Sequence, residues 1–141
     1  MSKRSFNAKN APGALGPYAH AVVSGNLIFL SGQLGLDPAT NALAPGGVES
    51  ETRQALANIS SILAELGLST DDVVKTTVFL RDMGDFALMN AIYGRVFAKD
   101  FPARSTVQVA ALPKNGAVEI EVIATSGASS AAAVASRRVS S

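Results

Sequence analysis

The stretch VVKTTVFL, residues 73–80, is rich in β-branched residues and contains neither glycine nor proline. Because β-branched and aromatic side chains fit the pleated surface of a sheet, this composition predicts a largely buried strand. Apolar residues recur at helical spacing before it, across residues 48–66, and Gly67 follows where a C-terminal cap usually sits. They recur again across residues 86–97, so one amphipathic helix is predicted before the strand in the sequence and one after it.

Two hairpins are predicted outside these helices. Residues 20–30 place HAVVS and LIFL around a Gly-Asn turn. The stretches 105–112 and 117–125 alternate strongly on either side of the turn Pro-Lys-Asn-Gly. The order strands, helix, strand, helix, strands predicts an α+β fold, in which both helices pack on one face of a single mixed sheet.

Length and composition limit the class of protein. The chain has 141 residues, of which 48% are hydrophobic and 16% charged, which fits one soluble domain and argues against disorder. No apolar run approaches the roughly 18 residues that cross a membrane. Cysteine is absent, which excludes disulfides, thiolate metal sites and thiol nucleophiles. A net charge of +1, with scattered basic residues, argues against binding of nucleic acid.

No targeting signal is recognised at the N-terminus, because its basic residues are not followed by an apolar stretch. A cytoplasmic location is therefore expected, with an organelle left open. Past Gly127 the sequence becomes small, polar and without periodicity. Residues 1–127 are expected to form the domain and residues 128–141 a flexible, low-complexity tail.

Few familiar catalytic sets occur in the sequence. It contains no GxSxG, P-loop or GxGxxG motif, and its single histidine, His20, has no second histidine for a triad or a metal site. His20 is therefore interpreted as an ordinary hydrogen-bonded residue of a strand.

The segment FPARSTVQVAALPKNGAVEIEVIA, residues 101–124, holds the remaining candidates. In the predicted hairpin register Ala110 pairs with Glu119, which places a polar stripe on one face of the sheet. The members of this stripe are Arg104, Thr106, Gln108, Glu119 and Glu121. The opposite face is predicted to be the core side and carries Val107, Val109, Val118, Ile120 and Val122.

The polar stripe has two interpretations. It is either the solvated side of an antiparallel sheet or a face covered by another subunit, since apolar Ala110, Ala117 and Ile123 interrupt it. Under such a cover Arg104 needs a partner or a ligand, because burying an unpaired charge is costly. Its planar guanidinium can grip a carboxylate with two parallel hydrogen bonds, so Arg104 is a candidate anion anchor.

Four separated motifs resemble those of the RidA/YjgF family. They are NAPGALGPYAHAV at residues 10–22, LSGQLGLDP at 30–38, VVKTTVFLRDMGDFALMNAIY at 73–93 and the segment 101–124. The match runs in order from about residue 10 to residue 126 without large gaps. Four motifs in one chain are a more specific signal than any one of them.

The resemblance implies a chorismate-mutase-like subunit that forms a homotrimer, with active sites between neighbouring chains. It also implies a deaminase that hydrolyses reactive 2-imino acids and enamines, such as 2-iminobutanoate and 2-iminopropanoate, to 2-oxo acids and ammonia. Neither a cofactor nor a metal is expected, because a protonated imine is already electrophilic and water is the nucleophile.

Residue by residue, the resemblance implies a site as well. Arg104 in PARS corresponds to the arginine that binds the substrate carboxylate, and Glu119 in VEIEV to the carboxylate near the catalytic water. At Thr106 many members have cysteine, so a backbone contact is expected there. Three further positions match residues that line the cleft, although packing alone would also explain them: Tyr18, Gly32 and Asn90.

Three other functions stay open at this point. The first is a non-catalytic trimer that binds small carboxylates or unfolded proteins, against which the presence of Arg104 argues. The second is a ribonuclease or translation inhibitor, which the near-neutral charge and the single histidine do not support. The third, a chorismate mutase, rests on analogy of fold alone.

Overall fold

A computed structural model describes residues 3–126, so the predicted tail lies outside the described residues. The strands are β1 (Arg4–Phe6), β2 (Ala21–Ser24), β3 (Leu27–Leu30), β4 (Gln33–Leu34), β5 (Val73–Leu80), β6 (Ala103–Gln108) and β7 (Val118–Thr125). The α-helices are α1 (Val48–Glu65) and α2 (Phe86–Val96), and short 3₁₀ turns lie at Thr70–Asp72, Met83–Asp85 and Pro113–Asn115. None of the helices within residues 3–126 is long and apolar enough to cross a membrane.

Both predicted helices and the first predicted hairpin are confirmed. β2 pairs antiparallel with β3, and Gly25 in the turn between them has the positive φ, 61°, that such a turn needs. After α1, Gly67 adopts a φ of 78°. The N–H of Leu68 then donates to the carbonyl of Leu63, which closes the helix end.

The strands form one mixed sheet in the order β1-β2-β3-β7-β5-β6, and β4 also pairs with β7. β5 is parallel to β6 and antiparallel to β7, so both of its edges are hydrogen-bonded. Val78 and Leu80 of this strand are fully buried, as its composition predicts. The α+β fold with a mixed sheet is therefore confirmed.

Both helices pack on one face of the sheet, as predicted. Val118, Ile120 and Val122 of β7 point toward this face and are buried, which confirms their predicted core positions. The helices cover them with apolar side chains that include Leu56, Ile59, Ile62 and Leu63 of α1 and Met89 and Ile92 of α2. The other face of the sheet carries no helix of residues 3–126 and is called the open face below.

The predicted second hairpin is wrong, because β5 lies between β6 and β7. Thr76 of β5 is opposite Arg104 on one side, in a parallel pair, and opposite Val122 on the other, in an antiparallel pair. The chain returns through α2, and a crossover of this kind brings the next strand in parallel. The turn at residues 113–116 marks where the chain reverses, but such a local signal does not say which strands become neighbours.

The two halves of the predicted polar stripe therefore lie on opposite faces of the sheet. Arg104 shares the face of buried Thr76, toward the helices, and Thr106 and Gln108 alternate with it on the same side. Glu119 is opposite Phe79 on the open face, which Glu121 shares. The predicted polar stripe therefore does not exist on one face of the sheet.

The predicted core positions of Val107 and Val109 are wrong for the same reason. Val107 is opposite Phe79, so it points to the open face and is 43% exposed. Val109 lies beyond the end of β6 and does not belong to the buried core.

Candidate functional site

The N-terminal segment, β4 and Glu119 form a cleft with a volume of about 220 Å³, called the Glu119 cleft. Three of its lining residues were singled out from the sequence: Tyr18, Gly32 and Glu119. Among the lining residues are Pro12, Tyr18, His20, Gly32, Gln33 and Glu119.

Gly32 lies in the break between β3 and β4, both of which pair with β7. A Cβ atom at this position would be 2.9 Å from Cδ of Glu119, which is closer than real Cβ atoms approach. A side chain here would have to displace the carboxyl group of Glu119, so glycine leaves the space that this carboxyl group occupies. The Glu119 side chain is held against main chain, with its acidic group in the cleft.

Burial raises the pKa of Glu119 above its usual value, and the negative charge of Glu121 raises it further. Glu121 is its neighbour on the same face of β7, two residues along the strand. A carboxyl group of this kind takes up a proton more readily than an exposed glutamate. Such a group is better suited to general acid–base catalysis than an exposed glutamate.

His20 is a hydrogen-bonded structural residue, as the sequence indicated. The N–H of Ala8 donates to Nδ1 at 2.9 Å, so the proton is on Nε2, which donates to the carbonyl of Pro12 at 2.7 Å. Both ring nitrogens are thus occupied, and the ring is only 3% exposed. His20 fastens the N-terminal segment that forms one wall of the Glu119 cleft.

We expect His20→Ala to lower the free energy of unfolding by about 2–3 kcal/mol, because Ala8 and Pro12 would lose their buried partner. Thermal unfolding followed by circular dichroism measures this effect. Asn7→Ala is the matched control, since exposed Asn7 accepts a hydrogen bond from the backbone N–H of the same histidine. Equal losses in the two variants would contradict the assigned role of the ring.

Tyr18 stands at the mouth of the Glu119 cleft and is 46% exposed. Its hydroxyl oxygen accepts a hydrogen bond from the N–H of Leu15 at 3.2 Å. This contact holds the ring near the cleft and leaves the hydroxyl proton free to be donated.

A second cleft, of about 470 Å³, lies between α2 and the segment that leads into β6, and it is called the Arg104 cleft. The half-buried guanidinium of Arg104 stacks over the ring of Tyr93, 4.7 Å from its centroid, and near the ring of Phe86, at 5.5 Å. Its Nη1 donates to Oδ1 of Asn90 at 2.7 Å. Because these three partners are neutral, they orient the guanidinium without neutralising its charge.

Thr106 follows Arg104 on the same face of β6, where it is opposite Val78. Its hydroxyl oxygen is buried and has no hydrogen-bond partner within residues 3–126. An unpaired buried hydroxyl costs free energy. The backbone contact predicted for Thr106 stays a prediction.

The structure of the single chain brings candidate residues together in two separate groups. Tyr18, Gly32 and Glu119 lie in the Glu119 cleft, and Arg104 and Asn90 lie in the Arg104 cleft. Among residues 3–126, no cluster of three or more His, Cys, Asp or Glu side chains could hold a metal ion.

Sequence reasoning missed the aromatic support of Arg104. Phe86, Asn90 and Tyr93 recur at intervals of four and three along α2, which places them on one side of the helix. That spacing was visible in the sequence. It acquires meaning only once the parallel pairing of β6 turns Arg104 toward α2.

Comparison with known proteins identifies relatives over most of the chain. The family model described as endoribonuclease L-PSP matches residues 8–126. The 2-iminobutanoate/2-iminopropanoate deaminase of Capra hircus is 50% identical over 127 residues, which cover 90% of this chain and 93% of that protein. The crystal structure of RidA from the Antarctic bacterium Psychrobacter sp. PAMC 21119 has a TM-score of 0.83 at 43% identity, covering 86% of this chain and 98% of that one. E. coli TdcF with bound serine has a TM-score of 0.82 at 41% identity, over 86% and 98% of the two chains.

These matches agree with the sequence motifs. The family model spans both clefts, from the Tyr18 motif to the Glu119 motif, and therefore includes every candidate residue. The similarity extends to the whole fold, because each of the two structures is covered almost completely. The chain belongs to the endoribonuclease L-PSP family, the family of the RidA and YjgF proteins that its motifs resemble.

Proposed function

We propose that this protein is a deaminase that hydrolyses reactive 2-imino acids and enamines, such as 2-iminobutanoate and 2-iminopropanoate, to 2-oxo acids and ammonia. The observation that carries the proposal is the setting of Arg104, whose charge is oriented by neutral groups and left for a carboxylate. The activity named for the Capra hircus relative supports it. So does the serine bound to E. coli TdcF, a small amino acid of comparable size.

In this mechanism water adds to the carbon of the protonated C=N bond, and the resulting carbinolamine expels ammonia to leave a C=O group. Arg104 holds the substrate carboxylate in place. Glu119 accepts a proton from the attacking water and returns it to the departing nitrogen, general acid–base help of about 10²- to 10⁴-fold. Backbone groups at Gly32 and Thr106 orient the nitrogen. Neither a metal ion nor an organic cofactor takes part in this scheme.

We further propose that the sites lie between the subunits of a homotrimer. Within one chain, Arg104 and Glu119 lie in separate clefts and on opposite faces of the sheet. An imino acid of three or four carbons is too short to reach both. One substrate touches both side chains only if the Arg104 cleft of one subunit meets the Glu119 cleft of its neighbour.

The open face of the sheet supports such an assembly. Apolar residues lie on all its central strands, and Phe29 and Val107 are 40% and 43% exposed. Half-buried Ile123 is opposite Phe29 and half-buried Phe79 is opposite Val107, with Thr77 and Glu121 between the two pairs. Exposed apolar pairs on a sheet face that no helix covers favour a protein–protein contact, so the cover predicted for the polar stripe is assigned to the open face.

The proposal is tested by generating 2-iminobutanoate from threonine with a threonine dehydratase and following the imine directly. Added protein is expected to shorten the lifetime of the imine in proportion to its concentration, with equal release of 2-oxobutanoate and ammonia. Heat-denatured protein is the control for buffer catalysis. An imine lifetime unaffected by the native protein contradicts the proposal.

Two alternatives give other outcomes in solution. A carboxylate-binding protein without activity would bind 2-oxobutanoate and leave the imine lifetime unchanged. A ribonuclease, as the description of the family model suggests, would bind and degrade RNA. His20, whose two ring nitrogens are occupied, is poorly placed to serve RNA cleavage as an acid or a base. Binding of RNA that weakens with salt, followed by cleavage, would favour that alternative.

Glu121→Gln should shift the acid limb of the pH profile. The negative charge of Glu121 helps to raise the pKa of Glu119, so the neutral amide lowers that pKa. Because Glu119 acts as a carboxylate, activity is lost as the pH falls through its pKa. The acid limb of kcat/KM is therefore expected at lower pH in the variant, by a modest amount since burial is the larger cause. Glu49→Gln, at an exposed position of α1, is the control. An acid limb that moves to higher pH contradicts the role of Glu119.

A further inference from the structure

Arg104 is linked through the ring of Tyr93 to Thr76 of β5. Thr76 is opposite Arg104 in the parallel pair of β5 and β6. The hydroxyl groups of Thr76 and Tyr93 are hydrogen-bonded at 2.8 Å, and the ring of Tyr93 lies 4.7 Å below the guanidinium carbon of Arg104. The hydrogen bond to β5 therefore fixes the ring of Tyr93, and the ring in turn supports the guanidinium of Arg104.

The hydroxyl pair is buried. Thr76 is 0% exposed, and Tyr93, which belongs to the hydrophobic core, is 6% exposed. Valine and phenylalanine would fill nearly the same volume without burying polar atoms. The hydrogen bond does what those residues cannot, because it fixes the ring of Tyr93 at one height and angle relative to β5.

Other contacts constrain the guanidinium from its edge. Asn90, one turn before Tyr93 on α2, accepts a hydrogen bond from Nη1 at 2.7 Å. The ring of Phe97 packs against Tyr93 from the following turn, with 4.6 Å between ring centroids. A guanidinium supported on its face by a ring directs its N–H groups sideways, where a carboxylate binds in the same plane.

We propose that Tyr93 is a positioning residue for Arg104: its ring supports the guanidinium, and its hydroxyl bond to Thr76 holds the ring in place. The inference rests on the proposed function, because binding of a carboxylate is the role that this support serves. An arginine held in its binding geometry loses less side-chain freedom when the ligand arrives. The support therefore acts on carboxylate affinity rather than on the chemical step.

The test compares variants of Tyr93 in carboxylate binding and in catalysis. Calorimetry with 2-oxobutanoate gives Kd without turnover, and the dehydratase-coupled assay gives kcat and KM. Tyr93→Leu, which removes the ring, is expected to raise Kd and KM about tenfold, while kcat stays within about threefold. The double variant Tyr93→Phe with Thr76→Val keeps the ring and removes the hydroxyl pair, so an increase in Kd of about threefold is expected.

Met89→Ala is the matched control, because Met89 is fully buried on the same helix and is not among the residues that line the Arg104 cleft. It should lower Tm at least as much as Tyr93→Leu and leave Kd and KM unchanged. The proposal is overturned if Kd in Tyr93→Leu equals that of the wild-type protein, or if Met89→Ala weakens binding equally. If Tyr93→Leu does not assemble, an unchanged Kd in the double variant overturns the proposal. A wild-type protein that neither binds 2-oxobutanoate nor hydrolyses the imine refutes the proposed function itself, which is a distinguishable result.

Discussion

Arg104→Ala is expected to abolish imine hydrolysis while the fold and the proposed trimer stay intact. The guanidinium lies over α2 in an open cleft and is half-buried, so its removal takes little volume from the core. Its loss removes the one charge that the cleft directs at a substrate carboxylate. Charge-assisted hydrogen bonds contribute about 1.5–3 kcal/mol each, so loss of a bidentate pair lowers kcat/KM by several orders of magnitude.

Arg104→Lys is the sharper comparison, because it keeps the charge and removes the planar fork. Lysine can neither stack over the ring of Tyr93 in the same way nor give two parallel hydrogen bonds, so severe impairment is expected. The coupled assay measures kcat/KM, and circular dichroism with size-exclusion chromatography verifies fold and oligomeric state. Near-normal activity in either variant would refute the assignment of Arg104.

Mixing inactive Arg104→Ala subunits with inactive Glu119→Ala subunits is expected to restore activity. In the proposed trimer an interface receives Arg104 from one subunit and Glu119 from the next. Where a Glu119→Ala chain supplies its intact arginine and an Arg104→Ala chain its intact glutamate, the site is complete. Random assortment of equal amounts gives such a pairing at about a quarter of the interfaces, so about a quarter of wild-type activity is expected.

The hybrids are made by unfolding and reassembly, and differently tagged chains verify that mixed trimers form. Each variant reassembled alone is the control and must stay inactive. A lack of recovered activity in proven hybrids would mean that the two residues do not act at one interface. The separation of the two residues within one chain follows from their positions on opposite faces of the sheet.

Most of the fold could be predicted from local patterns. The run of β-branched residues in β5, the helical spacing of α1 and α2 and the Gly-Asn turn each act over a few residues, and all were identified correctly. The pairing of β6 could not be identified in this way. It depends on which edge of β5 the chain reaches after α2, and that choice is made by packing of the whole domain.

The candidate site was predictable to the same extent. Arg104 and Glu119 could be named from residue chemistry and family resemblance, and Gly32 by its motif. Their division between two faces could not, because the error in strand order reverses the face assigned to every residue of β6. The support by Tyr93 was hidden for the same reason.

Because each chain carries both the Arg104 cleft and the Glu119 cleft, it contributes to two active sites of the proposed trimer. A chain altered only at Arg104 disables the site to which it would supply that arginine. The site to which it supplies Glu119 stays complete. A chain altered at both Arg104 and Glu119 spoils both. If normal and altered chains are made in equal amounts and assemble at random, about half of the sites should therefore stay complete for the single change and about a quarter for the double change.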